Sequence, residues 1–305
     1  MTRQLDATPA AGAGELRLAH ALVFITPALW CVNYLVARWA PGVIAPHALA
    51  LGRWCIAALL LLALCRDELA AKRAHIRAEA GQFLVLGALG MWVCGAFVYI
   101  GGRSTPALNI GLLYAAAPVL IALVSALWLH ERLRPPQLLG VALALAGVLY
   151  ILCKGDAHAL ARLQINPGDA WVSVAVLCWA AYSLLLRAWP SAFGATARLA
   201  LIACGGIVVL LPFTVLEAVL WLPTAWSWQA LGLVLAAALL PGAAAYAAYS
   251  VMQRVLGAAR VGLVLYLGPL YSALIGWLVL GEPIEAFHGI GALLILPGIW
   301  LATRR

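Results

Sequence analysis

The sequence predicts an all-α membrane protein of ten transmembrane helices, arranged as two inverted five-helix repeats. Three observations predict it. Of 305 residues, 66% are apolar and only 10% are charged. The apolar residues fall in blocks of spanning length, and the chain matches itself at shifts of 151 and 149 residues. An ordinary soluble domain is roughly 45–50% apolar, and a larger surplus cannot be hidden because burial saturates as a core grows. Lipid must therefore solvate the outside. One crossing takes roughly 20 apolar residues, so about 201 apolar side chains (0.66 × 305) make ten helices. A β-barrel is excluded, since its strands alternate apolar and polar residues.

The elements follow in order. Residues 1–18 are mixed and polar and form a cytoplasmic arm. The block 19–39 is followed by no small-residue cleavage site, so it reads as a retained first span rather than a signal peptide. The second block, 46–65, ends at the longest polar connection, Arg66 to Ala80, whose RDELAAKRAHIRAE stretch suits a short surface helix. Blocks 81–101, 107–129 and 136–153 complete a first repeat, 19–153. Blocks 168–188, 195–216, 228–250, 258–280 and 286–302 make a second, 168–302.

Basic residues orient the spans. With a cytoplasmic N-terminus, 14 of the 19 Lys and Arg fall on that side, including Arg66, Lys72, Arg73 and Arg77. The opposite face receives five, Arg38, Arg53, Arg103, Lys154 and Arg162. The positive-inside rule then places both termini in the cytoplasm, in what is expected to be a bacterial inner membrane. The same thin spread makes no basic patch, so the net charge of +8 implies no nucleic-acid partner. The seven cysteines lie in or beside apolar blocks without a CxxC pair, so neither a disulfide framework nor a metal site is expected. His130-Glu131 is not followed by the xxH of a zinc protease, and GxSxG and Walker motifs are absent, so no enzyme activity and no cofactor are expected.

The duplication shows in residues with specific backbone or charge demands. A shift of 151 pairs Gly111 with Gly262, Pro118 with Pro269, Glu131 with Glu282, Gly140 with Gly291 and Gly147 with Gly298. A shift of 149 lays CVNYLVARWAP over AAYSLLLRAWP, pairing Trp30 with Trp179 and Arg38 with Arg187. Each half holds five spans, an odd number, so the second enters the membrane from the opposite side. Inverted repeats are the architecture of secondary transporters, with a pocket between the repeats. An internally duplicated chain needs no second copy to complete its pathway, and a monomer in the lipid bilayer is expected.

The stretch from Asn109 to Leu152, with Pro118 mid-helix, LWLHERL around Glu131 and then QLLGVALALAGVLYI, resembles the second half of an EamA domain; residues 258–302 resemble another. The resemblance implies a ten-span member of the drug/metabolite transporter superfamily. The CWAAYS stretch from Cys178 to Ser183 and the closing WLATRR are similar to the aromatic amino acid exporters of that superfamily. Export of small metabolites, amino acids with aromatic or neutral side chains foremost, is what this implies. A drug or other metabolite transporter of the same fold, or a non-transporting regulatory membrane protein, are the alternatives.

The expected substrate site is aromatic and small polar. Trp30, Asn33 and Tyr34 recur at i, i+3, i+4 and share a face of the first span; Trp179, Tyr182 and Ser183 do the same in the sixth. Indole, phenol and amide groups stack on a ligand and bond its polar ends without fixed charge. Tyr99, Tyr246 and Tyr249 are further candidates, with Tyr114 and Tyr266 beside them. Packing of helix on helix is the competing explanation for all of these. Pro27, Pro118, Pro241 and Pro269 lie inside spans as kinks and candidate hinges, because Pro breaks the backbone ladder. Glu131 and Glu282 are expected to be structural, pairing with Arg or capping a helix. Every Asp, Glu and His maps to a span end or a loop, so no buried carboxylate is expected to couple transport to protons.

Overall fold

The computed structural model describes residues 13–117, 119–120, 135–156, 166–220, 224, 226–256 and 264–303. Among these the regular structure is helical throughout. α1 is Ala13–Trp39, starting inside the stretch expected as a polar arm, and α2 is Pro46–Leu64. Pro46 sits at the N-terminus of α2, where its missing N–H costs nothing and its fixed φ suits the helix. α3, Arg66–Ala71, is a short helix with no buried residue, in keeping with the expected surface helix.

The third span begins earlier than its apolar block. Arg73–Gly87 continues through a π-helical segment, Ala88–Phe97, into Val98–Gly101, and this rod is α4. α5 is Ala107–Ala115, α6 Pro135–Leu152, α7 Pro167–Ala188 and α8 Ala195–Leu220. α9 is again a composite rod: Trp228–Ala237, a π-helical segment Ala238–Ala244, then Ala245–Leu256. α10, Val264–Leu280, and α11, Ala286–Thr303, follow. The π segments start 150 residues apart (238 − 88), one in α4 and one in α9. One holds Pro241, which cannot donate to the ladder, and the other holds Gly90 and Gly95.

Six of these helices, among them Gly14–Trp39, Arg73–Gly101 and Ala195–Leu220, are long and apolar enough to cross a membrane; Pro135–Ile151, Leu267–Leu280 and Ala286–Gly298 are shorter apolar helices. Large apolar side chains such as Leu64, Val208, Val219 and Leu293 stand exposed on the outer faces, where acyl chains would meet them.

Glycine sets the closest helix crossings. A Cβ on Gly147 of α6 would stand 2.7 Å from Ile295 and 3.0 Å from the carbonyl of Gly291, and one on Gly298 would meet the carbonyl of Gly140 at 2.8 Å. The repeat glycines therefore meet crosswise where α6 packs on α11, Gly147 against Gly291 and Gly140 against Gly298, each beside the other's repeat partner. α8 crosses α2 and α4, with Gly87 against Gly205 and Gly206. α1 lies against α9 and α10, and α7 against the π segment of α4. The main core is thus shared by both halves of the chain.

Polar staples close the two ends. At one end the Arg38 guanidinium meets Glu282 at 2.7 Å, and Glu217 accepts from the His47 amide at 2.8 Å. At that end also the Asn109 amide donates to Asp169 at 3.3 Å and His288 lies 3.0 Å from the Asn109 carbonyl. At the other end Glu79 accepts from Ser191 and the Ala192 amide, and Glu68 from Lys72 and the Gly194 amide. Glu68 is held below the usual carboxylate range, first by the Lys72 ammonium and then by the Gly194 amide. The described acids and His288 lie near helix ends as expected, but Asp169, Glu217, Glu79 and His288 are buried there rather than solvated. Neighbouring helix ends supply the donors that make this burial tolerable.

Candidate functional site

A cavity lies where α1, α2, α4 and α5 of the first half meet α7, α9 and α10 of the second, about 900 Å³ including its mouth. The helical spacing of the first span does what periodicity dictates: Pro27, Trp30, Cys31, Asn33 and Tyr34 all line it. Trp179 faces them from α7, and Pro241 and Tyr246 from α9. Trp30 packs edge-on to Tyr246 at 6.4 Å between centroids, and Tyr34 lies 6.2 Å from Tyr114. These separations are those of favourable aromatic pairs.

Other expected site residues stand behind this surface. Tyr182 stacks on Trp179 at 5.2 Å and is buried, so it backs the indole rather than lining the cavity. The Ser183 hydroxyl donates to the Trp179 carbonyl of its own helix, which occupies it locally. Tyr249 touches Trp30 at 5.6 Å within a small satellite cluster around Met252. Tyr99 is buried and donates to the Asn33 side chain at 2.8 Å. Pro269 is buried in α10 beside the lining residue Gly268, and its carbonyl accepts the Ser272 hydroxyl. Glu282 is a staple at the end of the bundle, where its second oxygen accepts the Ala107 amide at the start of α5. Pro118, Glu131 and the Tyr266 side chain lie outside the described residues.

The residue that sequence reasoning misplaced is Arg53. Counted there among charges flanking the spans, it is the eighth residue of α2 and lines the cavity at 6% exposure. Seven residues at 1.5 Å each put it about 10 Å inside the helix start. Its Nη1 donates to Asn33 at 3.0 Å and to Tyr99 at 3.3 Å, and its guanidinium carbon lies 4.7 Å from the centroid of Trp54. Among the described residues no carboxylate comes within ion-pair distance of it. An ionised arginine deep in a span costs about 2.5–3.5 kcal/mol on insertion scales, so Asn33 and Tyr99 offset part of a real penalty. The signal was present in the sequence: Pro46 marks the helix start, and Arg53 lies two turns beyond it. The described cavity lining contains no Asp, Glu or His.

A bundle of apolar helices around a central polar-aromatic cavity built from both halves of the chain defines a membrane transport protein. Residues 17–153 and 166–304 each match the EamA-like transporter family, and the chain belongs to that family. It is 26% identical over 274 residues to an uncharacterized transporter, YyaM, of Bacillus subtilis, covering 89% of this chain and 88% of that one. It is 28% identical over 302 residues to a probable terminal-alkyne amino-acid exporter of Streptantibioticus cattleyicolor, covering 92% and 95%. A solved crystal structure, 24% identical across 93% of this chain and 96% of its own, shares the fold with a TM-score of 0.61.

Proposed function

We propose that this transporter exports small metabolites, amino acids with aromatic or neutral side chains foremost, by alternating access between two inverted five-helix repeats. The cavity carries the reading: it is walled by helices of both halves, so movement of one half against the other exposes it to each side in turn. Its indole and phenol surfaces suit an apolar side chain, and its amide and guanidinium suit the polar end of the same molecule. The Streptantibioticus relative, a probable terminal-alkyne amino-acid exporter, favours the same class.

The staples support an inverted ten-span path. The end of α1, the starts of α2, α5, α7 and α11, and the ends of α8 and α10 gather at one end of the bundle, as strict alternation of span direction requires. Counterflow in proteoliposomes tests the function. Vesicles containing the purified chain and preloaded with labelled phenylalanine, tryptophan or leucine should release label above protein-free vesicles, with mutual competition. Drug efflux without amino-acid efflux would move the assignment to a drug transporter of the same fold. Absence of any flux would favour a regulatory membrane protein.

A further inference from the structure

Arg53 is a feature of the cavity that helix packing does not explain. Its guanidinium is permanently charged and carries five N–H groups in a rigid fork. Nη1 gives its two to Asn33 and Tyr99, both neutral. The buried Nε–H has no acceptor. Tyr99 in turn donates to the same Asn33 oxygen, so two mutually bonded side chains, from α1 and α4, hold one edge of the fork in place. A cation this deep in a span, held by neutral groups and facing a cavity, leaves a charge uncompensated; intramembrane charges of that kind serve ions or substrates. The planar fork matches a carboxylate, which accepts two parallel N–H bonds. Beside it, Trp54, Trp30, Tyr34 and Tyr114 offer apolar surface for a substrate body.

We propose that Arg53 is the anchor for the carboxylate of the transported substrate, with Asn33 and Tyr99 as positioning residues that fix its guanidinium. This rests on the amino-acid reading for the identity of the substrate, but the carboxylate requirement stands apart from it. The substrate class is a monocarboxylate with an apolar or aromatic body, and the α-ammonium group is dispensable for docking at Arg53.

Four probes separate the two claims: L-phenylalanine, L-phenylalaninamide, 3-phenylpropanoate and phenethylamine. Each is used in proteoliposome transport and in thermal-shift titration of the detergent-solubilised full chain. Both carboxylates should stabilise and be moved at least about tenfold better than the amide or the amine, a preference of about 1.4 kcal/mol or more. Arg53→Gln should bring that preference to within about twofold while the protein stays monodisperse. Should R53Q fail to fold, Tyr99→Phe serves instead: it keeps the charge, so the preference for carboxylates persists while their affinity falls. Equal or absent stabilisation by carboxylates and their amide in the wild type overturns the anchor, as does an undiminished preference in R53Q. Transport of 3-phenylpropanoate without phenylalanine would sustain the anchor and overturn amino-acid export.

Discussion

Replacing Glu282 by Gln and Arg38 by Met, singly and together, measures what holds one end of the bundle closed. Glu282 Oε1 accepts from Arg38 Nε at 2.7 Å and Oε2 accepts from the Ala107 amide at 2.8 Å, while Arg38 Nη1 donates to the Gly102 carbonyl at 2.8 Å. One ion pair therefore joins the end of α1, the turn after α4, the start of α5 and the turn after α10. The two side chains are 29% and 12% exposed. Exposed pairs contribute about 0–1 kcal/mol, and breaking a fully buried pair costs about 3–5 kcal/mol. This half-buried pair lies between, so the single substitution should cost about 1.5–3 kcal/mol, the range for hydrogen bonds to a charged group. The double-mutant cycle should give a coupling of about 1–2 kcal/mol, measured as unfolding free energies in mixed micelles. A coupling within about 0.5 kcal/mol of zero would refute the reasoning, because distant independent sites add that well.

Trp30→Ala and Trp179→Ala should each lower amino-acid counterflow at least about tenfold, a loss of roughly 1.4 kcal/mol in substrate recognition, while size exclusion shows an intact peak; wild-type rates in both would make these indoles packing alone. Efflux down the substrate's own gradient should be unchanged by a protonophore, since no Asp, Glu or His lines the described cavity; strong accumulation driven by an imposed pH difference would refute that. Glu68 has its carboxyl lowered by Lys72 and Gly194, so its contribution is complete above its unfolded value of 4.5 and is lost as pH falls through the lower folded value. Glu68→Gln should accordingly flatten the acid limb of the stability profile below about pH 4.5 and leave the neutral region otherwise shaped as before. Single cysteines replacing the exposed Ala71 and Pro41 in a cysteine-free chain should label from opposite sides of intact cells; labelling of both by one impermeant reagent would sink the inverted topology.

Much of the fold was legible because lipid imposes so simple a rule on composition. Block edges were less so. α1 and α4 begin six and eight residues before their apolar blocks (19 − 13 and 81 − 73), since backbone hydrogen bonding continues where hydropathy has already faded. The i, i+3, i+4 pattern of Trp30, Asn33 and Tyr34 led to the cavity wall, whereas the duplication that pairs the glycines says nothing of the crosswise contact they make between α6 and α11. Depth behind the wall was not legible: spacing gives Tyr182 and Trp179 similar standing, and only the packing of α7 on α4 decides that the indole faces the cavity. Arg53 was missed because the positive-inside rule treats each basic residue as a marker of a span's end. A charge that belongs inside a span is invisible to a rule that assumes none does. Burial of Asp169 escaped for a related reason, since it lies under Asn109 of α5, remote in sequence.

The matched π-helical segments place a constraint on the gene that has nothing to do with side-chain chemistry. In an α-helix one residue advances the face by about 100° (360° divided by 3.6). Gain or loss of a single codon between Gly87 and Val98, or between Ala237 and Ala245, would turn everything beyond it by that angle. Tyr246, two residues past the second π segment, would swing out of the cavity, and Tyr99, two past the first, would release Asn33. Surface loops absorb such changes freely. In these two rods the reading length is itself an inherited character, and homologous chains should vary there by substitution and hardly ever by insertion or deletion.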